Sequence, residues 1–220
     1  MSVEPPNADA DPYSAMERAV EAATLGHGHR LDRKTTRDLV DYVESYPDAR
    51  VRIAARALTF GARAAWKRAT RDADASVRRR AAELAPALDT LATHAPMVER
   101  LLALLADSDP LVAESAAFAL GELGSRGSDR ANAPEGAALA RAAEAHSDAL
   151  VREAAVAALG AIGDPRYVSS VLAATRDRPA IRRRAVLALA AFEGADVEAA
   201  IERALTDTDW QVRQAAEDLK

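Results

Sequence analysis

The sequence contains no cysteine, and aromatic residues make up only 4% of its 220 residues. Without cysteine the chain has no disulfide, no thiolate nucleophile and no cysteine-ligated zinc site. Alanine supplies much of the 49% hydrophobic content. A core that is poor in aromatic and rich in small side chains favours closely packed helices over sheets.

The chain also lacks an excess of positive charge. Its formal net charge is −5 and its pI is near 5.5, so no overall positive field attracts it to nucleic acid or to an anionic membrane. Residues 1–12 are acidic and proline-rich, without the apolar run of a secretory signal or a membrane anchor. We therefore expect a disordered tail over residues 1–12, and a cytoplasmic protein with no membrane partner.

Sequence signatures of catalysis are missing as well. There is no Gly-x-Ser-x-Gly nucleophile elbow, no phosphate-binding Gly-Lys-Ser/Thr loop and no dinucleotide-binding glycine motif. None of the four histidines has a second histidine and a carboxylate at ligand spacing on one helix. His27 and His29 form the only close pair, and the glycines around them favour a loop over a metal site. We therefore expect no catalytic residue, cofactor or metal.

A short motif recurs along the chain and reads Asp148-Ala-Leu-Val151-Arg152 in its plainest copy. We take its β-branched residue as the anchor of each repeat. Successive anchors are 26 to 39 residues apart, a spacing that suits one pair of helices per repeat. The six anchors are Val51, Val77, Val112, Val151, Ile181 and Val212.

The residues around each anchor predict the start and the buried face of an inner helix. In five of the six repeats an aspartate stands three positions earlier and can cap the first turn, whereas in the copy at Ile181 the aspartate, Asp177, is displaced by one position. An alanine follows each anchor by four positions and a leucine by seven or eight, so these residues share one helical face. Because such small side chains bury too little surface for a lone helix, each inner helix should stack on the next.

Helical patterns between the anchors predict an outer helix for each pair. Pro86 should interrupt the second inner helix. Four glycines stand where inner helices are expected to end, namely Gly121, Gly124, Gly160 and Gly163. The outer helices are predicted over residues 33–46, 62–71, 96–106, 135–146, 165–176 and 194–206.

The run Val151-Arg-Glu-Ala-Ala-Val-Ala-Ala-Leu-Gly160 resembles the HEAT-like repeats of the phycobilisome (PBS) lyase type. The resemblance covers nearly all of the chain beyond residue 33 and implies an all-α protein, an α-α superhelix or HEAT/armadillo-like solenoid. We expect about six helix pairs and a capping helix over residues 13–25, in a single domain spanning residues 13–220. The composition of residues 125–134 predicts a mobile loop within that domain.

The resemblance also implies a ladder of polar contacts between aspartates and arginines of successive inner helices. The arginine that follows the anchor is present in five of the six repeats. Ala113 replaces it in the third repeat, so we expect the ladder to be broken there.

Positions two and six after each anchor should point away from the core, toward the inner surface of the solenoid. Phe118 and Leu187 are large apolar residues at such positions, among charges of both signs. That mixture is typical of a groove for a protein or peptide, although neighbouring helices could equally cover both side chains. The predicted partner-binding residues are Arg79, Glu114, Phe118, Glu153, Arg183 and Leu187.

Our leading hypothesis is a non-catalytic scaffold that binds another protein or peptide. Nucleic-acid binding or DNA repair is an alternative, because repeats two and five each carry a net charge of +4. HEAT-like DNA glycosylases use tryptophan, but no motif here assigns such a role to Trp66 or Trp210, and we expect Trp210, at an inner-helix start, to pack rather than to contact bases. The resemblance itself implies a third function, that of a bilin lyase or an assembly chaperone.

A titration of the protein with duplex DNA tests the nucleic-acid alternative. Phosphate contacts by Lys and Arg make binding strongly salt-dependent, so a true DNA-binding protein loses about 10³-fold or more in affinity between roughly 50 and 200 mM salt. Because the net charge is −5, we expect no such salt-dependent binding. Salt-sensitive binding in the micromolar range would favour the alternative.

Overall fold

The computed structural model of the protein describes residues 62–88, 94–126 and 134–220. The chain divides into two compact units, residues 1–81 and 82–220, and each is described by itself. The predicted tail, the capping helix and the first helix pair lie outside the described residues, as do residues 127–133 of the predicted loop. They stay predictions, as does the single domain over residues 13–220.

Every regular element within the described residues is helical, and the all-α prediction is confirmed. A 3₁₀ turn, Pro165–Tyr167, precedes α7. The α-helices of the described ranges are α1 Ala62–Ala69, α2 Ala75–Leu88, α3 His94–Leu105, α4 Pro110–Arg126, α5 Pro134–Ala145, α6 Ala149–Ile162, α7 Val168–Ala174, α8 Pro179–Leu189, α9 Ala195–Ala204 and α10 Trp210–Glu217. None of them is long and apolar enough to cross a lipid bilayer.

Outer and inner helices alternate in the order that the repeat predicts. The even-numbered helices α2 to α10 are the inner helices, and each carries one anchor that is at most 1% exposed. In the second unit α4 packs on α6, α6 on α8 and α8 on α10, while the outer helices α3, α5, α7 and α9 also pack in series. This unit is thus a stack of helix pairs, as expected of a HEAT/armadillo-like solenoid.

Aspartates begin the inner helices as predicted. The backbone N–H of Leu150 donates to Asp148 Oδ1 at 2.8 Å, and those of Gln211 and Val212 donate to Asp209 Oδ1. Asp74 and Asp109 cap α2 and α4 in the same way. These bonds satisfy N–H groups that have no partner in the first helical turn.

The start of α8 differs, because its aspartate is displaced by one position. Arg178 is the N-cap residue and makes no side-chain capping bond. Pro179 follows as the first helical residue, where its missing N–H removes no helical hydrogen bond.

The prediction that four glycines end the inner helices is right only for Gly163. Its φ of +62° is left-handed, and its N–H donates to Leu159 O at 2.9 Å, so it terminates α6. Gly121 and Gly124 lie inside α4, and Gly160 lies inside α6.

Two of these internal glycines let successive inner helices approach closely. A Cβ atom on Gly121 would lie 2.6 Å from the Cβ of Ala158 in α6. A Cβ atom on Gly160 would lie 2.7 Å from the Cβ of Ala188 in α8. The same contact therefore recurs one repeat later. Each glycine allows two inner helices to lie closer together than any side chain at that position would permit.

Two predicted boundaries are wrong. Pro86 does not interrupt α2, which continues to Leu88, and Arg126 Nη1 donates to Pro86 O at 2.8 Å in this last turn. Both ends of the predicted loop over residues 125–134 are helical, because α4 continues through Ser125 and Arg126 and α5 begins at Pro134, while the residues between lie outside the described ranges. Pro134 is tolerated as the first residue of α5, where its missing N–H removes no helical hydrogen bond.

Replacing Gly160 with alanine tests the close contact. In an unconstrained helix this change stabilises by about 1 kcal/mol. Here the added methyl group meets Ala188, so we expect a net loss of about 1–2 kcal/mol in the free energy of unfolding, measured by urea denaturation. The double variant Gly160→Ala/Ala188→Gly should lose less unfolding free energy than the sum of the losses in the two single variants. A stabilised Gly160→Ala variant would contradict the packing.

Candidate partner-binding face

Three large apolar side chains are exposed on consecutive inner helices of the second unit. Phe118 is 47% exposed, Leu111 42% and Leu150 46%. Leu111 and Phe118 share one face of α4 because they are seven positions apart. Leu150 is the counterpart of Leu111 on α6, since each stands one position before its anchor. Neighbouring helices therefore do not cover Phe118, and the sequence predictions missed both leucines.

Two predicted glutamates lie on the same faces of these helices. Glu114 stands between Leu111 and Phe118 on α4 at helical spacing, and within the described residues it has no hydrogen-bond or ion-pair partner. Glu153 Oε1 accepts from Arg184 of α8 at 3.4 Å, a long contact between partly exposed groups. We call the surface formed by Leu111, Glu114, Phe118, Leu150 and Glu153 the α4–α6 face.

The other predicted site residues have different environments. Arg183 is exposed on α8, at the repeat position of Glu114 and Glu153. Leu187 is partly buried and packs on the cluster of α8, α9 and α10 that includes Val212. Arg79 is exposed on α2 in the first unit, so the α4–α6 face does not include it.

The two tryptophans differ in their exposure to solvent. Trp66 is 4% exposed, and its Nε1 donates to Ala81 O at 2.8 Å, so this side chain packs in the core. Trp210 is 64% exposed at the start of α10, and for this residue the packing role is wrong.

A ladder of arginine–aspartate pairs links consecutive inner helices from α6 onward. Arg152 Nε donates to Asp177 Oδ2 at 2.8 Å and its Nη2 to Oδ1 at 3.1 Å. Arg182 pairs with Asp207 in the same two-bond geometry, at 2.9 and 2.7 Å. All four side chains are at most 23% exposed. The pairs therefore bind one repeat to the turn of the next.

The carboxylate of each pair belongs to the turn before the helix. Asp209 caps α10, whereas Asp207 two positions earlier receives Arg182 and also accepts from the N–H of Asp209. In the sequence, two aspartates separated by one residue mark an arginine-binding aspartate followed by a capping aspartate. The same spacing occurs where Asp72 and Asp107 precede the capping residues Asp74 and Asp109. The recurring motif that begins at Asp148 in its plainest copy includes only the capping aspartate, so the sequence predictions missed Asp207.

These pairs shift the pKa of their members. The hydrogen bond from Arg152 lowers the pKa of Asp177, and that from Arg182 lowers the pKa of Asp207, with partial burial opposing both effects. The pKa values of both arginines are correspondingly raised. Each pair is therefore fully ionised at neutral pH.

The ladder is broken between α4 and α6, as predicted. Ala113 is fully buried where the other inner helices carry arginine. The position of the turn aspartate is also changed, because His146 stands there and its Nδ1 accepts from the N–H of Asp148 at 3.1 Å. The sequence thus lacks both partners at the same step.

Much of the positive charge of repeats two and five is engaged within the chain. Arg78 Nη1 donates to the carbonyls of Asp72 and Ala73. Three of the six arginines of repeat five form ion pairs, namely Arg166 with Asp164, Arg182 with Asp207 and Arg184 with Glu153. Within the described ranges, no three His, Asp or Glu side chains come together as a metal site.

Neutralising Asp207 tests the ladder and its pH dependence. A carboxylate with a lowered folded pKa stabilises above its unfolded pKa of about 3.9, and the contribution is lost as the pH falls further. We expect Asp207→Asn, which keeps an acceptor for the turn, to lose about 1–3 kcal/mol of unfolding free energy at pH 7 and progressively less below pH ~4.

The exposed pair of Glu202 with Lys220 supplies the matched control. Glu202→Gln should change the unfolding free energy by about 0.5 kcal/mol or less, because solvent screens exposed pairs. Equal losses in the two variants, or a difference between Asp207→Asn and the parent that does not vary with pH, would contradict a stabilising ladder.

The comparisons with known proteins agree with this architecture. Residues 98–180 match the family profile of HEAT repeats, and no curated protein matches the chain. Of the solved structures, YibA of Escherichia coli is similar with a TM-score of 0.63 at 14% identity, over 97% of this chain and 75% of YibA. An engineered protein is similar with a TM-score of 0.58 at 20% identity, over 84% and 94% of the two chains. A designed armadillo repeat protein in complex with the peptide (KR)4 has a TM-score of 0.58 at 16% identity, over 83% and 96%. The part of the chain that the structure describes is thus built from HEAT/armadillo-like helical repeats.

Proposed function

We propose that this protein is a non-catalytic scaffold that binds a segment of another protein on the α4–α6 face. The observation that carries the proposal is the exposure of Leu111, Phe118 and Leu150 on consecutive inner helices. The core of the stack does not need these side chains, because the anchors and alanines of the opposite face fill it. A cluster of exposed apolar side chains among charges is typical of a protein interface.

The spacing of the face favours an extended partner segment. Packed helices lie about 8–10 Å apart, and the Gly121–Ala158 contact keeps α4 and α6 at the short end of that range. In an extended segment of polyproline II form, with three residues per turn and a rise of about 3.1 Å per residue, side chains three residues apart lie on one side at roughly 9 Å and can contact Leu111 and Leu150.

The charge of the face favours a basic partner. Glu114 has no partner within the described residues, and Glu153 shares only a long contact with Arg184. A lysine or arginine beside the apolar contacts of the segment would pair with Glu114. The designed armadillo repeat protein of similar fold is described in complex with the basic peptide (KR)4, which supports a partner of this kind.

Arg183 and Leu187 extend the proposed site onto α8. Arg183 is exposed and would meet an acidic residue of the same partner, whereas the partly buried Leu187 offers less contact area. Arg79 lies in the first unit and stays a separate prediction.

The two alternatives have less support. Nucleic-acid binding would use the arginines of repeat five, and half of these are already paired with carboxylates. A bilin lyase or assembly chaperone of the phycobilisome type follows from the sequence resemblance, and the absorbance of the protein after exposure to a bilin tests it.

A labelled peptide with four repeats of Leu-Lys-Ser tests the proposed site by fluorescence anisotropy. Phe118→Ser removes an apolar contact and Glu114→Lys reverses the charge, so each should weaken binding about tenfold or more, typical of a central interface residue. Because Phe118 is 47% exposed and Glu114 is partly exposed, both variants should remain folded, and circular dichroism checks this.

Glu202→Lys on the outer helix α9 is the matched control, since it makes the same charge change away from the face. It should leave the affinity unchanged. A peptide with glutamate in place of lysine should bind at least tenfold more weakly than the lysine peptide. Absence of binding to the lysine peptide, or equal losses in Glu114→Lys and Glu202→Lys, would contradict the proposed site.

A further inference from the structure

The arginine one position after the anchor makes the same bonds in α6 and α8. Its Nη1 donates to carbonyls of the preceding turn, His146 O at 2.9 Å for Arg152 and Asp177 O at 3.0 Å for Arg182. These bonds hold the guanidinium so that its Nε–Nη2 edge meets the aspartate of the next turn. The structure thus contains two copies of a carboxylate-binding arginine.

Arg213 of α10 is a third copy of this arginine. Its Nη1 donates to Asp207 O at 2.7 Å and to Thr208 O at 3.3 Å, the same turn carbonyls that its counterparts use. Within the described residues its Nε and Nη2 atoms meet no carboxylate. The guanidinium is therefore held in the orientation that receives an aspartate in the two preceding repeats.

Trp210 and Glu217 accompany Arg213 on one side of α10, since the three residues are three and seven positions apart. Trp210 is 64% exposed and Glu217 is exposed. Glu217 stands five positions after its anchor, where α6 and α8 carry the buried residues Val156 and Val186. We call the surface of Trp210, Arg213 and Glu217 the α10 end face.

The chemistry of this face differs from an ordinary repeat contact. A charged residue at position 217 disfavours contact with another apolar inner helix, because burying its carboxylate would cost free energy. The indole of Trp210 instead offers a broad apolar surface beside the guanidinium. A guanidinium edge next to an aromatic ring suits an acidic side chain with apolar atoms around it.

We propose that the α10 end face binds an aspartate-bearing turn of a different protein. The aspartate would accept two hydrogen bonds, from Nε and Nη2 of Arg213, as Asp177 does from Arg152 and Asp207 from Arg182. The remainder of the turn would cover Trp210. The two occupied copies favour a carboxylate over a phosphate, because Arg213 pairs with the single charge of a carboxylate while Glu217 on the same face would repel the larger negative charge of a phosphate more strongly. This surface is separate from the α4–α6 face and does not depend on it.

The probe for this site is a peptide with the sequence of a turn that the protein itself uses, Leu-Thr-Asp-Thr-Asp-Trp of residues 205–210. The full chain, labelled with ¹⁵N on arginine, is titrated with this peptide while the Nε–H resonances are followed by NMR. We expect a saturable shift of the Arg213 resonance with an affinity of about 1 mM, because a short flexible peptide loses entropy on binding. The peptide with asparagine in place of both aspartates should bind at least fivefold more weakly, a control that requires no variant of the protein.

Two variants assign the site. Arg213→Lys keeps the charge but removes the two-bond edge, and it should lose the preference for aspartate over asparagine. Trp210→Ala leaves the guanidinium in place and should weaken the aspartate peptide several-fold. Arg203→Gln on α9 is the control and should leave the affinity unchanged.

Several results would overturn the proposal. The absence of any shift of Arg213 at about 10 mM peptide would exclude the interaction. Equal affinities for the aspartate and asparagine peptides would exclude carboxylate recognition. Tighter binding of inorganic phosphate than of the aspartate peptide would contradict the choice of ligand. A concentration-dependent dimer that Arg213→Glu abolishes would assign the face to a second copy of the chain instead.

Discussion

The close approach of successive inner helices is the constraint on which the rest of the second unit depends. Alanines and glycines fill the space between these helices, and each buries little apolar surface. Stability therefore comes from many short contacts between neighbouring repeats, such as those of Gly121 with Ala158 and of Gly160 with Ala188. A helix pair with such a face has little stability without its neighbour.

Two kinds of contact share the task of joining the repeats, and their proportions differ along the stack. The step from α4 to α6 has the glycine contact but no arginine–aspartate pair, because Ala113 and His146 replace both partners. The step from α6 to α8 has both kinds. The step from α8 to α10 has the pair of Arg182 with Asp207, while Ala190 stands at the position of the glycine.

The same regularity explains how one scaffold offers two different surfaces. Each repeat places its residues at equivalent positions, so a surface differs from the next only in the side chains at those positions. Apolar and acidic side chains at α4 and α6 form the α4–α6 face, and an indole with an arginine forms the α10 end face. The fold supplies the positions, and in the two proposals the choice of partner would depend on these few side chains.

The sequence by itself determined the helix pairs, the buried anchors and the capping aspartates, because helical period and capping depend on residues within a few positions. It also located the break at Ala113. Only the tertiary structure decided contacts between residues far apart in the chain. Asp207 rather than Asp209 receives Arg182, 25 residues away, Gly160 serves packing rather than termination, and the last helix pair covers Leu187 but leaves Phe118 exposed. Each of these outcomes depends on how one repeat lies against the next, which no local pattern specifies.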